Sequence, residues 1–152
     1  MNTTTLLQDM GGPDAVHRLA HAWHVRVLAD PVVAHAFSHG FHPQHTERLA
    51  AYWVEAWGGP AAYSSRFGSE SDVVRMHSGN GVHEEMDAQA IACFALALDD
   101  IGLDDASLRQ ALLDYFSWAT RARMAAYPAS PQDVPDDLRI ARWSRAGLLG
   151  ED

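Results

Sequence analysis

The sequence predicts an all-α domain, and three observations support that prediction. No segment shows the sustained alternation of apolar and polar residues that is typical of strands. The longer segments instead place apolar residues three and four positions apart, which is the spacing of one helical face. Glycine and proline residues separate these segments, as expected where helices end. The chain has 152 residues, which is enough for one domain with a core and short for two.

The first long helix is expected to follow the glycine-containing loop at 11–14 and to run to about residue 29. Asp30-Pro31 ends it, because the residue before a proline disfavours helical backbone. A short helix over 32–37 and a loop over 38–43 come next. The apolar face of the first helix consists of Val16, Leu19, Ala20, Trp23 and Val27.

The second long helix is predicted over 46–57, and Gly58-Gly59-Pro60 ends it. Glu47, Ala51 and Glu55 are expected to point away from the core. Residues 61–82 are less regular, with one short helix over 72–77. The face predicted to be buried consists of His45, Leu49, Tyr52, Trp53 and Ala56.

Two further helices complete the predicted domain, over 84–99 and 107–127. Residues 1–127 then form the domain, and 128–152 form a tail rich in proline and aspartate, which we expect to be irregular. Trp143 and Leu148 are the tail residues suited to dock on the domain. The inward residues of the two helices are Met86, Ala90, Cys93, Phe94 and Ala97, then Leu108, Leu112, Tyr115, Phe116 and Ala119.

Composition and charge exclude several classes of function. The net charge is −9, so no basic surface is available to bind nucleic acid or an anionic membrane. The N-terminal residues lack the features of a secretion signal, and no segment is long and apolar enough to span a membrane. Cys93 is the one cysteine and lies in an apolar segment, which favours a buried thiol in a reducing cytoplasm.

Nine histidines make metal binding the first hypothesis to weigh. His17, His21 and His24 share a helical face, and His35, His39, His42 and His45 are closely spaced. A solvated helix edge and a loop without a rigid frame are the more ordinary explanations for these two sets. His77 precedes two glycines, which would leave room for a flat cofactor, although a histidine that interacts with a helix dipole would fit the same pattern.

The chain resembles a truncated haemoglobin of the second group over residues 8–127. The glycine pair at 11–12, the Asp30-Pro31 break and WGGP followed by Tyr63 carry this resemblance. Three longer segments also carry it, namely WHVRVLADPVVAHAF (23–37), ERLAAYWVEAWGGPAAY (47–63) and ALLDYFSWA (111–119), together with RMH at 75–77. The resemblance implies a shortened globin fold, two helices over two, around one b-type haem.

The resemblance also implies roles for individual residues. His77 matches the proximal ligand of the iron, and His45 matches the distal position, with Leu49 one turn later. His24 stands where group members usually carry a tyrosine. Arg48 and Tyr63 match groups that reach the haem propionates. The remaining residues implied near the haem are Trp23 beside His24, the distal aromatic Phe37 and the pocket walls Tyr52, Trp53, Met76, Val82 and Phe94.

Three departures from the family pattern concern ligand chemistry rather than the fold. His24 replaces the distal tyrosine, Ala90 or its neighbour Gln89 replaces a tryptophan, and Met76 replaces a basic residue before the proximal histidine. The resemblance therefore implies a cytoplasmic protein, monomer or homodimer, that binds dioxygen, carbon monoxide or nitric oxide at a five- or six-coordinate haem iron. In the six-coordinate case, His45 or His24 is the distal ligand of the iron. Two alternatives stay open: a nitric oxide dioxygenase or peroxidase-like enzyme with an external reductase, and a haem-free helical protein that binds metal or a partner.

Overall fold

The computed structural model of this chain describes residues 4–35 and 44–149, and it confirms the predicted all-α class. The helices within those residues are α1 (Leu6–Met10), α2 (Pro13–Ala29), α3 (Pro31–Ala34), α4 (His45–Ala56), α5 (Glu70–Met76), α6 (Glu84–Asp100) and α7 (Ala106–Trp118). A π-helical segment (Ala119–Met124) continues α7, and a 3-10 turn (Pro131–Asp133) follows. Two short antiparallel strands, β1 (Trp143–Ser144) and β2 (Gly147–Leu148), lie near the C-terminal end.

The four longest helices form the body of the fold. Helix α2 packs against both α4 and α6, and α6 packs against α7, while the short α3 lies on α6. The faces in contact are those predicted from helical spacing, since Val16, Leu19 and Ala20 of α2 are fully buried. This arrangement agrees with the two helix pairs implied by the family resemblance.

Aromatic rings fill the space between these helices. Trp53 stacks on Trp57 with ring centroids 5.3 Å apart, and Phe94 stacks on Phe116 at 4.4 Å. Trp53 also meets Phe94 edge to face at 5.5 Å, so the two stacked pairs form one continuous cluster. Large aromatic side chains dominate the energy of such cores because each removes a large apolar area from water.

The helix boundaries differ most from prediction in three places. Residues 6–10 form α1, which was not predicted. Helix α5 begins at Glu70, two residues before the predicted start. The last helix keeps α-helical geometry only to Trp118 and then becomes π-helical, whereas one helix was predicted over 107–127.

The predicted outer face of α4 was wrong at two positions. Ala51 and Glu55 are both buried. The Glu55 carboxylate accepts hydrogen bonds from the backbone N–H groups of Tyr63 and Ser64, and from the Ser64 hydroxyl at 2.6 Å. Burial of this carboxylate is tolerated because these donors replace its water.

The tail after residue 127 returns to the body of the fold. It is mostly irregular, and Val134, Ile140 and Trp143 are buried. Trp143 contacts the rings of Tyr115 and Trp118, with centroids 5.8 and 5.4 Å away, whereas Leu148 stays 43% exposed. No helix in the described residues has the length and apolar composition needed to cross a membrane.

Candidate functional site

His77 is the C-cap residue of α5. Its Nδ1 atom lies 2.8 Å from the carbonyl oxygen of Val73. A carbonyl only accepts, so the neutral imidazole keeps its proton on Nδ1 and leaves the lone pair of Nε2 for another partner. Surrounding protein lowers the pKa of the ring, the Val73 carbonyl partly opposes this, and His83 lowers it further. The ring is therefore oriented and neutral, as a metal ligand requires.

Two apolar residues near His77 are unusually exposed. Met76 is 66% exposed and Val82 is 78% exposed, and His77 itself has exposed surface, although enough protein packs around its ring to lower the pKa. A flat apolar cofactor needs apolar side chains beside its metal ligand. Exposed apolar residues beside an oriented imidazole fit a haem, and the resemblance assigns both residues to its pocket wall.

His24 and His45 form a second histidine group, between α2 and α4. Their ring centroids are 4.6 Å apart, and the Nδ1 atom of His24 lies 3.2 Å from the Thr46 hydroxyl. His24 is buried, and this burial, together with the nearby His21, lowers its pKa. The structure thus brings together the two residues predicted for the distal side.

Arg48 and Tyr63, the residues predicted near the propionates, are also neighbours. Arg48 lies over the Phe67 ring, 5.0 Å from its centroid, and its guanidinium is close enough to Tyr63 to act on the pKa of that phenol. Tyr63 is buried, and burial raises the pKa of its phenol despite the nearby guanidinium. A guanidinium beside a neutral phenol offers donors suited to a carboxylate.

The other predicted wall residues pack within the protein. Trp53 and Phe94 belong to the aromatic cluster, and Leu49 is partly buried beside it. Trp23 donates a hydrogen bond from its indole to the carbonyl oxygen of Ala90 at 3.1 Å. Ala90 therefore contacts Trp23 through its backbone, although its own side chain lacks the indole of the tryptophan that it replaces in the family pattern. Phe37 lies outside the described residues.

Tyr52 belongs to a buried group of three polar side chains that was not predicted from the sequence. Its hydroxyl donates to the Glu70 carboxylate, with oxygen distances of 2.7 and 2.9 Å. Arg123 reaches the same carboxylate at 3.3 Å, and all three side chains are buried. Burial, together with Tyr115 and Glu70, raises the pKa of Tyr52 well above its usual range. Helical spacing alone gave no signal for this group, because its members come from three separate segments.

A cavity of about 550 Å³ lies elsewhere, between the tail and the start of α5, where Ser69, Glu70 and Arg142 line it. His77, His24 and His45 do not line that cavity. Within residues 4–35 and 44–149, no three histidine, cysteine, aspartate or glutamate side chains are grouped closely enough to hold a metal ion. Cys93 is buried, which raises the pKa of its thiol and disfavours the reactive thiolate.

Comparisons with known proteins agree with the fold. A model of the bacterial-like globin family matches residues 5–124. The group II truncated haemoglobin of Bacillus anthracis superimposes with a TM-score of 0.72 at 16% identity, covering 84% of this chain and 95% of that one. No curated protein sequence matched the chain.

Two other solved structures are more similar in sequence. The haemoglobin of Chloroflexus aurantiacus is 24% identical with a TM-score of 0.68, over 80% of this chain and 98% of that one. The thermostable haemoglobin of Thermobifida fusca is 28% identical with a TM-score of 0.66, over 80% and 97%.

Proposed function

Because this chain belongs to the bacterial-like globin family, and that family implies a haem-binding globin, we propose that it holds one b-type haem on His77 and binds dioxygen or another diatomic gas. The observation that supports the proposal most directly is the hydrogen bond from Nδ1 of His77 to the Val73 carbonyl oxygen. It fixes the tautomer and the ring orientation, which is how proteins prepare a histidine to bind a metal through its other nitrogen.

The haem supplies an iron that binds small gases, and the protein supplies polar groups around it. His24 and His45 are the proposed distal residues, because each neutral imidazole carries one N–H that can donate to a partly negative ligand. Arg48 and Tyr63 are the proposed partners of the haem propionates. Carbon monoxide and nitric oxide are further proposed ligands, and a reducing compartment suits the single buried thiol of Cys93.

The test replaces His77 by glycine, which removes the imidazole and leaves a space beside Val73. We expect the affinity for haem to fall by more than about tenfold, since losing even an outer partner of a metal ligand costs roughly 10–100-fold. Added imidazole should restore the visible spectrum, because it supplies the missing nitrogen ligand. The measurement is a haem titration followed by absorption, oxidised and reduced, with and without carbon monoxide.

His17→Gly is the control, because His17 is exposed on α2 and lies two helical turns before His24. It should bind haem as the unmodified protein does. Unchanged haem affinity and an unchanged spectrum in His77→Gly would contradict the assignment of the ligand. A colourless protein that does not respond to added haem would contradict the proposed function as a whole.

A further inference from the structure

Helix α5 carries His77 but is too short to hold its own position. It has seven residues, and isolated helices of that length are not stable in water. Its placement therefore depends on the segments that contact it. Several of these contacts come from residues 127–139, here named the C-terminal strap, which lies beyond the part of the chain that the globin family model matches.

The strap contacts α5 directly along its length. The Ser71 hydroxyl donates to the carbonyl oxygen of Pro135 at 2.6 Å and accepts from the backbone N–H of Leu138 at 3.0 Å. Arg75, in the last turn, forms an ion pair with Asp136. Ser71 is fully buried, so losing either partner would leave a polar group unsatisfied inside the protein.

The strap also contacts the backbone that follows His77. The N–H of Gly79 donates to the Tyr127 carbonyl at 3.1 Å, and the N–H of Gly81 donates to the Pro128 carbonyl at 2.9 Å. A Cβ at Gly79 would lie 2.8 Å from Cδ of Pro131, closer than real Cβ contacts allow. Gly79 is therefore needed for this close approach, whereas the sequence alone suggested that it leaves space for a cofactor.

The start of α5 is held by the buried group of Glu70, Tyr52 and Arg123. Arg123 connects this group to the strap, because its guanidinium also donates to the Arg139 carbonyl at 3.4 Å. The strap thus contacts the first and last turns of α5 and the loop that follows His77. These contacts lie on both sides of the imidazole along the chain.

We infer that the C-terminal strap positions His77, so that residues outside the matched globin segment set how firmly the proximal imidazole is presented to the haem iron. The inference rests on the proposed function, because it assigns a role toward the same ligand. Ser71 and Gly79 are positioning residues, because they contact the strap and act on the iron only through His77.

The first experiment replaces Ser71 by alanine, which removes both hydrogen bonds to the strap. In the haem-bearing protein we expect the backbone amides of His77 and Ser78 to exchange hydrogen at least roughly three- to tenfold faster, since the loss of even one ordinary hydrogen bond produces that change. Ser65→Ala is the control, because the Ser65 hydroxyl also donates to a backbone carbonyl, that of Ala61, but makes no contact with the strap.

A second pair of variants tests the loop after His77. Gly79→Ala and Gly81→Ala both place alanine at a positive φ, +79° and +72°, so they share the same kind of backbone strain. Only the first puts a Cβ against Pro131, since nothing lies within 4 Å of that position in the second. We expect faster exchange at the His77 amide in Gly79→Ala than in Gly81→Ala.

The decisive measurement is the iron–histidine stretching band of the reduced protein in resonance Raman spectra. A shifted or broadened band in Ser71→Ala, with the unmodified band in Ser65→Ala, would support the inference. Faster amide exchange with an unmoved band would overturn it, because the strap would then only stabilise α5. Equal rates of amide exchange in Ser71→Ala and Ser65→Ala would also overturn the inference. An unmodified protein that takes up no added haem would overturn the proposed function itself.

Discussion

The two proposed distal histidines differ in their surroundings. His24 is buried and its Nδ1 faces the Thr46 hydroxyl, whereas His45 is only partly buried at the start of α4. A hydroxyl either donates or accepts, so Thr46 is compatible with either tautomer of His24. The tautomer decides whether Nε2 offers a proton to a ligand or a lone pair. Burial lowers the pKa of His24 and favours the neutral ring, which has a single N–H to place.

Replacing either distal histidine by leucine should speed gas release if that residue donates to the ligand. A net hydrogen bond contributes about 0.5–1.5 kcal/mol, so we expect the oxygen dissociation rate to rise roughly three- to tenfold. Stopped-flow measurement of the dissociation rate in His45→Leu and His24→Leu tests this. His17→Leu, at an exposed position of α2 two turns before His24, should leave the rate unchanged. Unchanged rates in both distal variants would remove these histidines from the ligand's surroundings.

Single residues were predicted well where one helix determined their environment. Helical spacing correctly placed Trp53 and Phe94 in the core. It failed for Glu55, because the donors that make its burial tolerable lie in the irregular segment after α4. The contact between His24 and His45 joins two helices, and only the family resemblance indicated a shared side for them. Contacts between separate segments are not encoded in the periodicity of either one.

At the scale of elements, the ends of the short helices depend on capping side chains. Ser69 caps α5 by accepting from the backbone N–H of Asp72 at 3.1 Å, and the Asp72 side chain bonds back to the backbone of Ser69. This reciprocal pair satisfies two backbone donors that a helix start otherwise leaves without partners. Since α5 has only seven residues, its first turn is a large part of the element.

Ser69→Ala should lower the free energy of unfolding by about 0.5–2 kcal/mol, the usual cost of removing an N-cap side chain. Urea unfolding of the haem-bearing protein, followed by circular dichroism, measures this change. Ser69→Asp is the matched variant, because aspartate is an equally favourable N-cap residue, and it should retain most of the stability. Equal loss in both variants would show that the capping bond does not stabilise α5.

The same capping logic explains which elements the sequence analysis missed. Thr5 and Gln8 form a capping box at α1, and Gly11 ends that helix in a left-handed conformation. Both signals stand in the sequence, so α1 was predictable. The change from α- to π-helical geometry after Trp118 was not, because it accompanies the burial of Arg123 beside Glu70, a contact between distant segments.

At the scale of the whole molecule, the aromatic core contains two buried phenols. Tyr52 and Tyr115 are 7% and 2% exposed, and Tyr115 meets the rings of Trp57 and Trp143. Burial raises the pKa of Tyr115 far above its ordinary value, and Glu70 adds to the shift. The folded protein therefore keeps both phenols protonated at pH values where an unfolded chain would release the protons.

This difference makes the fold sensitive to alkali. Because the folded pKa is raised, the contribution of each phenol to stability is fully present below the unfolded pKa of 10.0 and is lost as the pH rises above it. At about pH 11, one unit higher, the loss is about 1.4 kcal/mol for each buried tyrosine.

Tyr115→Phe should reduce the alkaline loss in the free energy of unfolding by the amount for one tyrosine, because phenylalanine has no proton to release. The measurement is the change in the free energy of urea unfolding between about pH 8 and about pH 11, in the variant and in the unmodified protein. Any packing cost of the substitution is present at both pH values and cancels in the comparison. An equal alkaline loss in the two proteins would mean that Tyr115 ionises as readily in the fold as in the unfolded chain.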